Sequence, residues 1–158
     1  NRNLEIVLEP GRVLVGDAGF LVAKVIHEKH EGRRFIFVDA AMNDLLRPAL
    51  YDAQHSIQEA REPLGTADLI KVDIVGPVCE TGDTFATEYP LSSPVSGDLL
   101  VIKDTGAYGA VMASTYNSRL LVPEVLVSGK DYALIRRRET LEEQISRELL
   151  APWQNNIK

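Results

Sequence analysis

The sequence predicts a mainly β domain, an antiparallel β-sandwich or Greek-key-like barrel with short helices and one C-terminal helix. Three observations carry this. Eight short runs are rich in Val and Ile, turn signals separate them, and a full helical pattern occurs near the C-terminus. A chain of 158 residues with 45% apolar residues is of a size to build one packed core.

The first run, "LEIVL" at 4–8, alternates as a strand does. "FLVAKVI" (20–26) and "RFIFVDA" (34–40) follow, joined by the short turn "EGRR". The stretch "FLVAKVIHEKHEG" also fits a helical period, but its β-branched content and the tight turn favour a hairpin. In "MNDLLRPALY" (42–51), Asn43 or Asp44 is a possible cap, and Pro48 restricts Arg47 to extended or turn geometry, leaving one broken helical turn. "LIKVDIVG" (69–76), "DLLVIKD" (98–104), "GAVMAST" (109–115), "EVLVSG" (124–129) and "YALIRRR" (132–138) complete the strands. Between them lie "EPLGTAD", "ETGD", "SSPVSGD", "DTGAYG" and "SGKD", composed of turn-forming residues. "ETLEEQISRELL" (139–150) begins acidic, spaces Leu141, Ile145 and Leu149 helically, and is followed by Pro152.

Composition excludes some functions. With 17 basic and 23 acidic residues the net charge is −6, which repels phosphate backbones and makes nucleic acid an unfavourable partner. No apolar run approaches the roughly 20 residues that span a bilayer, and the opening residues carry no signal-peptide pattern, so a soluble protein with no membrane partner is expected. The single cysteine, Cys79, has no internal disulfide partner and fits a reducing cytoplasm. The chain opens in a strand-like run, as though an earlier region preceded it.

Four motifs hold chemistry. "EPGR" (9–12) follows a strand, and its turn amides with the Arg12 fork suit an anion, although four residues serve equally as a plain β-turn. In "MNDLLRPALYDAQH" (42–55), Arg47 and Tyr51 are either a solvated pair or a carboxylate-binding loop, for which Arg is better shaped than Lys. His55 reads as structural; no second His stands at metal-ligand spacing, and His27 and His30 on a strand face opposite ways. "GPVCETGD" (76–83) sets Cys79 beside Glu80 and Asp83 in a turn. Neighbouring carboxylates disfavour a resting thiolate, so a thiol proton donor fits better than a nucleophile. In "DTGAYG", Tyr108 sits in a Gly-rich turn where a phenol can donate to a phosphate oxygen, or simply lie exposed on a hairpin.

Together and in this order, "EPGR", "VDAAMNDLLRPALYDAQH", "GPVCETGD" and "GAYGAVMASTYN" resemble the C-terminal part of the diaminopimelate decarboxylases, from residue 4 to about 150. Ornithine and arginine decarboxylases share something like "EPGR" and the Gly-Pro-x-Cys turn; "NDLLRPALY" separates the families. The resemblance implies a pyridoxal 5'-phosphate enzyme that converts meso-diaminopimelate to L-lysine and CO₂. In it, residues 1–9 would end a (β/α)8 barrel and 10–158 would form the C-terminal β-domain. It also implies roles. Glu9, Pro10, Gly11 and Arg12 would lie against the cofactor phosphate, with Arg12 reaching substrate. Arg47 and Tyr51 would hold the distal end of the substrate, and Tyr108 would sit near cofactor and substrate. In a homodimer, Cys79 would donate a proton and Glu80 pair an ammonium in the partner's site.

Two departures matter. None of the six lysines, Lys24, Lys29, Lys71, Lys103, Lys130 and Lys158, stands in a Schiff-base context, so the chain alone is expected to be inactive. Ala41 replaces an expected glycine. A decarboxylase for ornithine or arginine, or a non-catalytic β-sandwich dimerisation module, are the rival expectations.

Overall fold

A computed structural model describes residues 4–61 and 68–154, so most of the turn expected at 62–68 lies outside the described residues. The chain forms two compact units, Asn1–Ala113 and Ser114–Lys158.

In the first unit six strands form one sheet. They are β1 (Leu21–Glu31), β2 (Arg33–Val38), β3 (Ile57–Glu59), β4 (Ile70–Val75), β5 (Thr84–Leu91) and β6 (Leu99–Ile102), in the order β3-β6-β1-β2-β4-β5. Neighbours are antiparallel except β2 and β4, which run parallel. The purely antiparallel expectation fails there because the connection from β2 to β4 is long enough for a crossover rather than a hairpin. The edge strands β3 and β5 approach each other. The Ile57 amide donates to the Tyr89 hydroxyl at 2.8 Å, and Ser92 hydrogen-bonds the Glu59 carboxylate. Of the two architectures expected, the sheet is therefore the barrel, nearly closed.

Alternation builds the core. Ala23 and Val25 of β1, Ile36 and Val38 of β2, Val72 and Ile74 of β4, and Leu100 and Ile102 of β6 all point inward and are buried. Each such aliphatic contributes about 1.5–3 kcal/mol relative to exposure. One carboxylate is buried on the opposite face of β4. Asp73 is buried, pairs with Arg33 at 2.6 Å and accepts the Glu88 amide at 2.8 Å, which pins a bulge in β5 where Glu88 has a φ of 48°.

Two expected strands are corrected. Residues 4–10 are exposed and form no strand among the described residues, because a strand needs a neighbouring ladder to satisfy its backbone. "GAVMAST" instead forms a 3₁₀ turn at Ala110–Met112, entered from Tyr108 in a left-handed conformation that no regular strand accommodates. The strands β3 and β5 escaped notice; the first is three residues long, and the second is broken by its bulge and carries Pro90, tolerated because β5 is an edge. The expectation for Arg47 is also corrected. It opens α1 (Arg47–Tyr51), with Pro48 in the first turn where its missing N–H costs nothing. The position before it is Leu46, without a side-chain cap; Asp44 instead accepts the Ala41 amide at 2.9 Å. Ala41 is fully buried and needs no glycine-only backbone.

The second unit holds the hairpin of β7 (Glu124–Ser128) and β8 (Asp131–Arg136) and then α2 (Leu141–Ile145). The helix is shorter than the 139–150 pattern. It starts with a capping box: Thr140 accepts the Glu143 amide and Glu143 accepts the Thr140 amide. The Glu143 carboxyl, hydrogen-bonded first by Arg137 and then by the Thr140 backbone, falls from 4.5 to about 2.

Two outcomes are expected. Ile74→Ala should destabilise the barrel by about 3 kcal/mol in urea unfolding, as cavity formation at a fully buried site does. Because the folded-state value of Glu143 is depressed, its contribution to α2 is present above its ordinary 4.5 and lost as pH falls through about 2. The carboxyl carbon of Glu143, followed by NMR, should titrate near that lower value in the chain and higher, toward 4.5, in Arg137→Ala, which removes the first of these bonds while the Thr140 N–H remains.

Candidate functional site

The site grows from a close approach of two backbones. Residues 10–19 wind through 3₁₀ turns at Arg12–Leu14 and Gly16–Ala18 and lie against the loop 104–109. Gly106 N–H donates to Gly16 O at 3.0 Å, and Thr105 N–H to Gly19 O at 2.9 Å. A Cβ on Gly19 or Gly106 would overlap the opposing main chain, so both positions require glycine. The Arg12 guanidinium, through Nη2, donates to the Asp104 carbonyl at 3.0 Å and remains exposed.

Tyr108 leaves this loop with a φ of 59°, an unusual state for an aromatic residue that costs on the order of 1 kcal/mol or more. Its hydroxyl covers Gly11, lying 3.3 Å from where a Cβ there would be. Its ring reaches Arg47. The Arg47 guanidinium carbon stands 5.7 Å from the Tyr108 ring centroid and 5.6 Å from that of Tyr51, one helical turn along α1. Arg47 Nε is buried with no hydrogen-bond partner among the described residues. Arg47, Tyr51, Tyr108 and Gly11 thus lie close together.

Cys79 and Glu80 occupy a separate turn between β4 and β5, and both are exposed. Asp83 anchors that turn. It is buried, its Oδ2 accepts the Val78 amide at 2.8 Å, and its Oδ1 accepts the Met42 amide at 2.6 Å. Gly76 leaves the space that the carboxylate fills. Sequence inspection placed Asp83 beside Cys79 as one of two carboxylates; the structure turns it inward. The available signal was a Gly-Asp pair closing a turn that a glycine opens. His55 is buried, with Nδ1 2.8 Å from the Lys103 carbonyl, a structural role as expected.

The converging residues lie on an open face. A cleft of about 610 Å³ is lined by Pro48, Asp52, His55, Thr81, Phe85 and Tyr89 among others, and by none of Gly11, Arg12, Arg47, Tyr51 or Tyr108. Donors gathered on an open surface suit a ligand that another surface covers from the far side.

Residues 13–106 match the family model described as pyridoxal-dependent decarboxylase, C-terminal sheet domain. The chain is 56% identical over 149 residues to a diaminopimelate decarboxylase of Neisseria meningitidis serogroup A, covering 94% of this chain and 36% of that protein. It is 49% identical to one from Zymomonas mobilis, covering 96% and 35%. Among solved structures, diaminopimelate decarboxylase from M. jannaschii in co-complex with L-lysine superposes with a TM-score of 0.86 at 40% identity, covering 92% of this chain and 33% of that one. The chain spans about a third of the length of the curated relatives it matches. An arginine decarboxylase of Paramecium bursaria Chlorella virus, at 20% identity and a TM-score of 0.64, shares the fold.

Gly106→Ala should force the two backbones apart and destabilise the first unit by about 1–3 kcal/mol in denaturant unfolding. Gly32→Ala, at an open turn with a φ of 71°, should cost only about 1 kcal/mol from its backbone.

Proposed function

This chain belongs to the C-terminal sheet-domain family of the pyridoxal-dependent decarboxylases, and on that premise we propose that it completes the substrate site of a diaminopimelate decarboxylase. The observation that carries the proposal is the Arg47 guanidinium within 5.6 and 5.7 Å of two tyrosine rings, with Nε buried and without a hydrogen-bond partner among the described residues. A planar fork held within cation–π reach of two rings is preorganised for a carboxylate. Meso-diaminopimelate carries a second carboxylate beyond its reacting centre; ornithine and arginine carry none there and would leave Arg47 uncompensated or facing a cation.

The residues also fit the cofactor. Arg12 presents an exposed guanidinium and Tyr108 a phenol over Gly11, a donor set suited to the phosphate of pyridoxal 5'-phosphate, with Glu9 and Pro10 shaping the turn. When bound, the cofactor supplies the sink for the electrons left as CO₂ departs. This chain's own work is binding and proton delivery. Arg47 and Tyr51 hold the distal carboxylate, and Arg12 and Tyr108 reach both phosphate and substrate. Glu80 pairs with a substrate ammonium, and the Cys79 thiol gives its proton to the carbon that has lost CO₂, yielding L-lysine.

The exposure of Cys79 and Glu80 supports their serving the partner's site in a homodimer. Residues 1–9 would supply the last strand of a (β/α)8 barrel that carries the reacting lysine, in a cytoplasmic enzyme. Lys29 and Lys71 already pair with Glu31 and Glu88 on the sheet, which supports placing that lysine elsewhere.

In the full-length enzyme, Arg47→Ala should lower kcat/KM for diaminopimelate about 100-fold, the scale of an unpaired buried carboxylate, while cofactor affinity stays within about twofold. An unchanged kcat/KM for diaminopimelate would overturn the assignment. The 158-residue chain with added cofactor should form no lysine.

A further inference from the structure

The geometry points to Asp83 as a positioning residue that sets the carboxylate-binding loop and the proton-donor turn against each other. The residue is only 3% exposed, and it divides its two carboxylate oxygens between two loops. Oδ1 takes the Met42 amide at 2.6 Å, five residues before Arg47, and Oδ2 takes the Val78 amide at 2.8 Å, one residue before Cys79. Contact continues alongside, since Gly82 sits 3.7 Å, measured from the position of its missing Cβ, from the Ala49 methyl of α1. The carboxylate packs directly on Gly76, filling the space that a Cβ there would occupy.

Only a carboxylate can do this. Both partners are N–H donors, so both side-chain atoms must be acceptors, and an ionised carboxylate accepts each with charge-assisted strength. An amide of the same shape offers one oxygen and one NH₂, and the NH₂ would face an N–H. Asparagine can therefore retain one loop and must release the other. The turn itself survives that loss, because Gly76 N–H still donates to Asp83 O at 2.9 Å and Asp83 N–H to Glu80 O at 3.0 Å.

The functional half of this inference rests on the assignment of Arg47 and Cys79 made above. Where the turn completes the partner's site in a homodimer, one carboxylate ties the substrate fork of one site to the proton donor of the next.

The test joins two measurements. In native-state hydrogen exchange on the 158-residue chain, the Met42 and Val78 amides should be protected, and Asp83→Asn should speed exchange of at least one by tenfold or more. In the full-length holoenzyme, the same variant should raise KM for diaminopimelate or lower kcat by about tenfold, with cofactor affinity unchanged and protection in β1 and β6 intact. Unaltered exchange at both amides, unaltered kinetics, or a parallel fall in cofactor affinity would each overturn the proposal. Should Asp83→Asn not fold, the unmodified chain decides: the two amides should open with the same denaturant dependence, and independent opening refutes the link. The exchange results stand whether or not Arg47→Ala behaves as expected, so a failed functional assignment and a failed brace are told apart.

Discussion

A guanidinium within reach of two phenol rings, with one of its nitrogens buried and unpaired among the described residues, is the constraint on which the candidate site depends. Each cation–π contact is worth about 0.5–1 kcal/mol at a partly exposed site. Leaving Nε without a partner costs at least as much. The arrangement is thus close to neutral for stability. Its value lies in orientation, since a cation whose plane is fixed in advance loses little further freedom when a carboxylate arrives.

Several local choices serve that orientation. Pro48 is placed where a helix accepts it, so α1 begins at Arg47 and returns Tyr51 beneath it one turn later. Tyr108 accepts a left-handed backbone, and its ring lies 5.7 Å from the same guanidinium carbon. Glycines let residues 10–19 and the 104–109 loop meet main chain to main chain, which also carries the Arg12 turn to the Tyr108 hydroxyl. The nearly closed barrel beneath supplies rigidity; its buried alternating residues hold the loops that its strands do not themselves contain.

Much of the fold was legible because a period of two is a direct consequence of strand geometry. Runs such as 20–26, 34–40 and 98–104 became β1, β2 and β6 for that reason. The failures have equally local causes. "LEIVL" has the pattern of a strand but no ladder among the described residues, and β5 hides its alternation behind the bulge at Glu88. The parallel pairing of β2 and β4 depends on crossover topology, which periodicity does not encode. At the site, residue types and order marked Arg47, Tyr51 and Tyr108, and the structure brings them together. Asp83 was marked only as a neighbour of Cys79, because an inward and an outward carboxylate look the same in a one-dimensional string; only the space vacated by Gly76 and the two amides aimed at it distinguish them.

If Arg47 exists to read the far carboxylate, ligands differing only in that group must be separated by it. The direct measurement is competitive inhibition of the full-length enzyme by L-lysine and by 1,5-diaminopentane, which lacks the carboxylate, in the native protein and in Arg47→Ala. L-Lysine should bind at least tenfold more tightly to the native enzyme, a gap set by one charge-assisted pair, and that preference should vanish in the variant. A preference of the same size in both proteins would show that the carboxylate is read elsewhere.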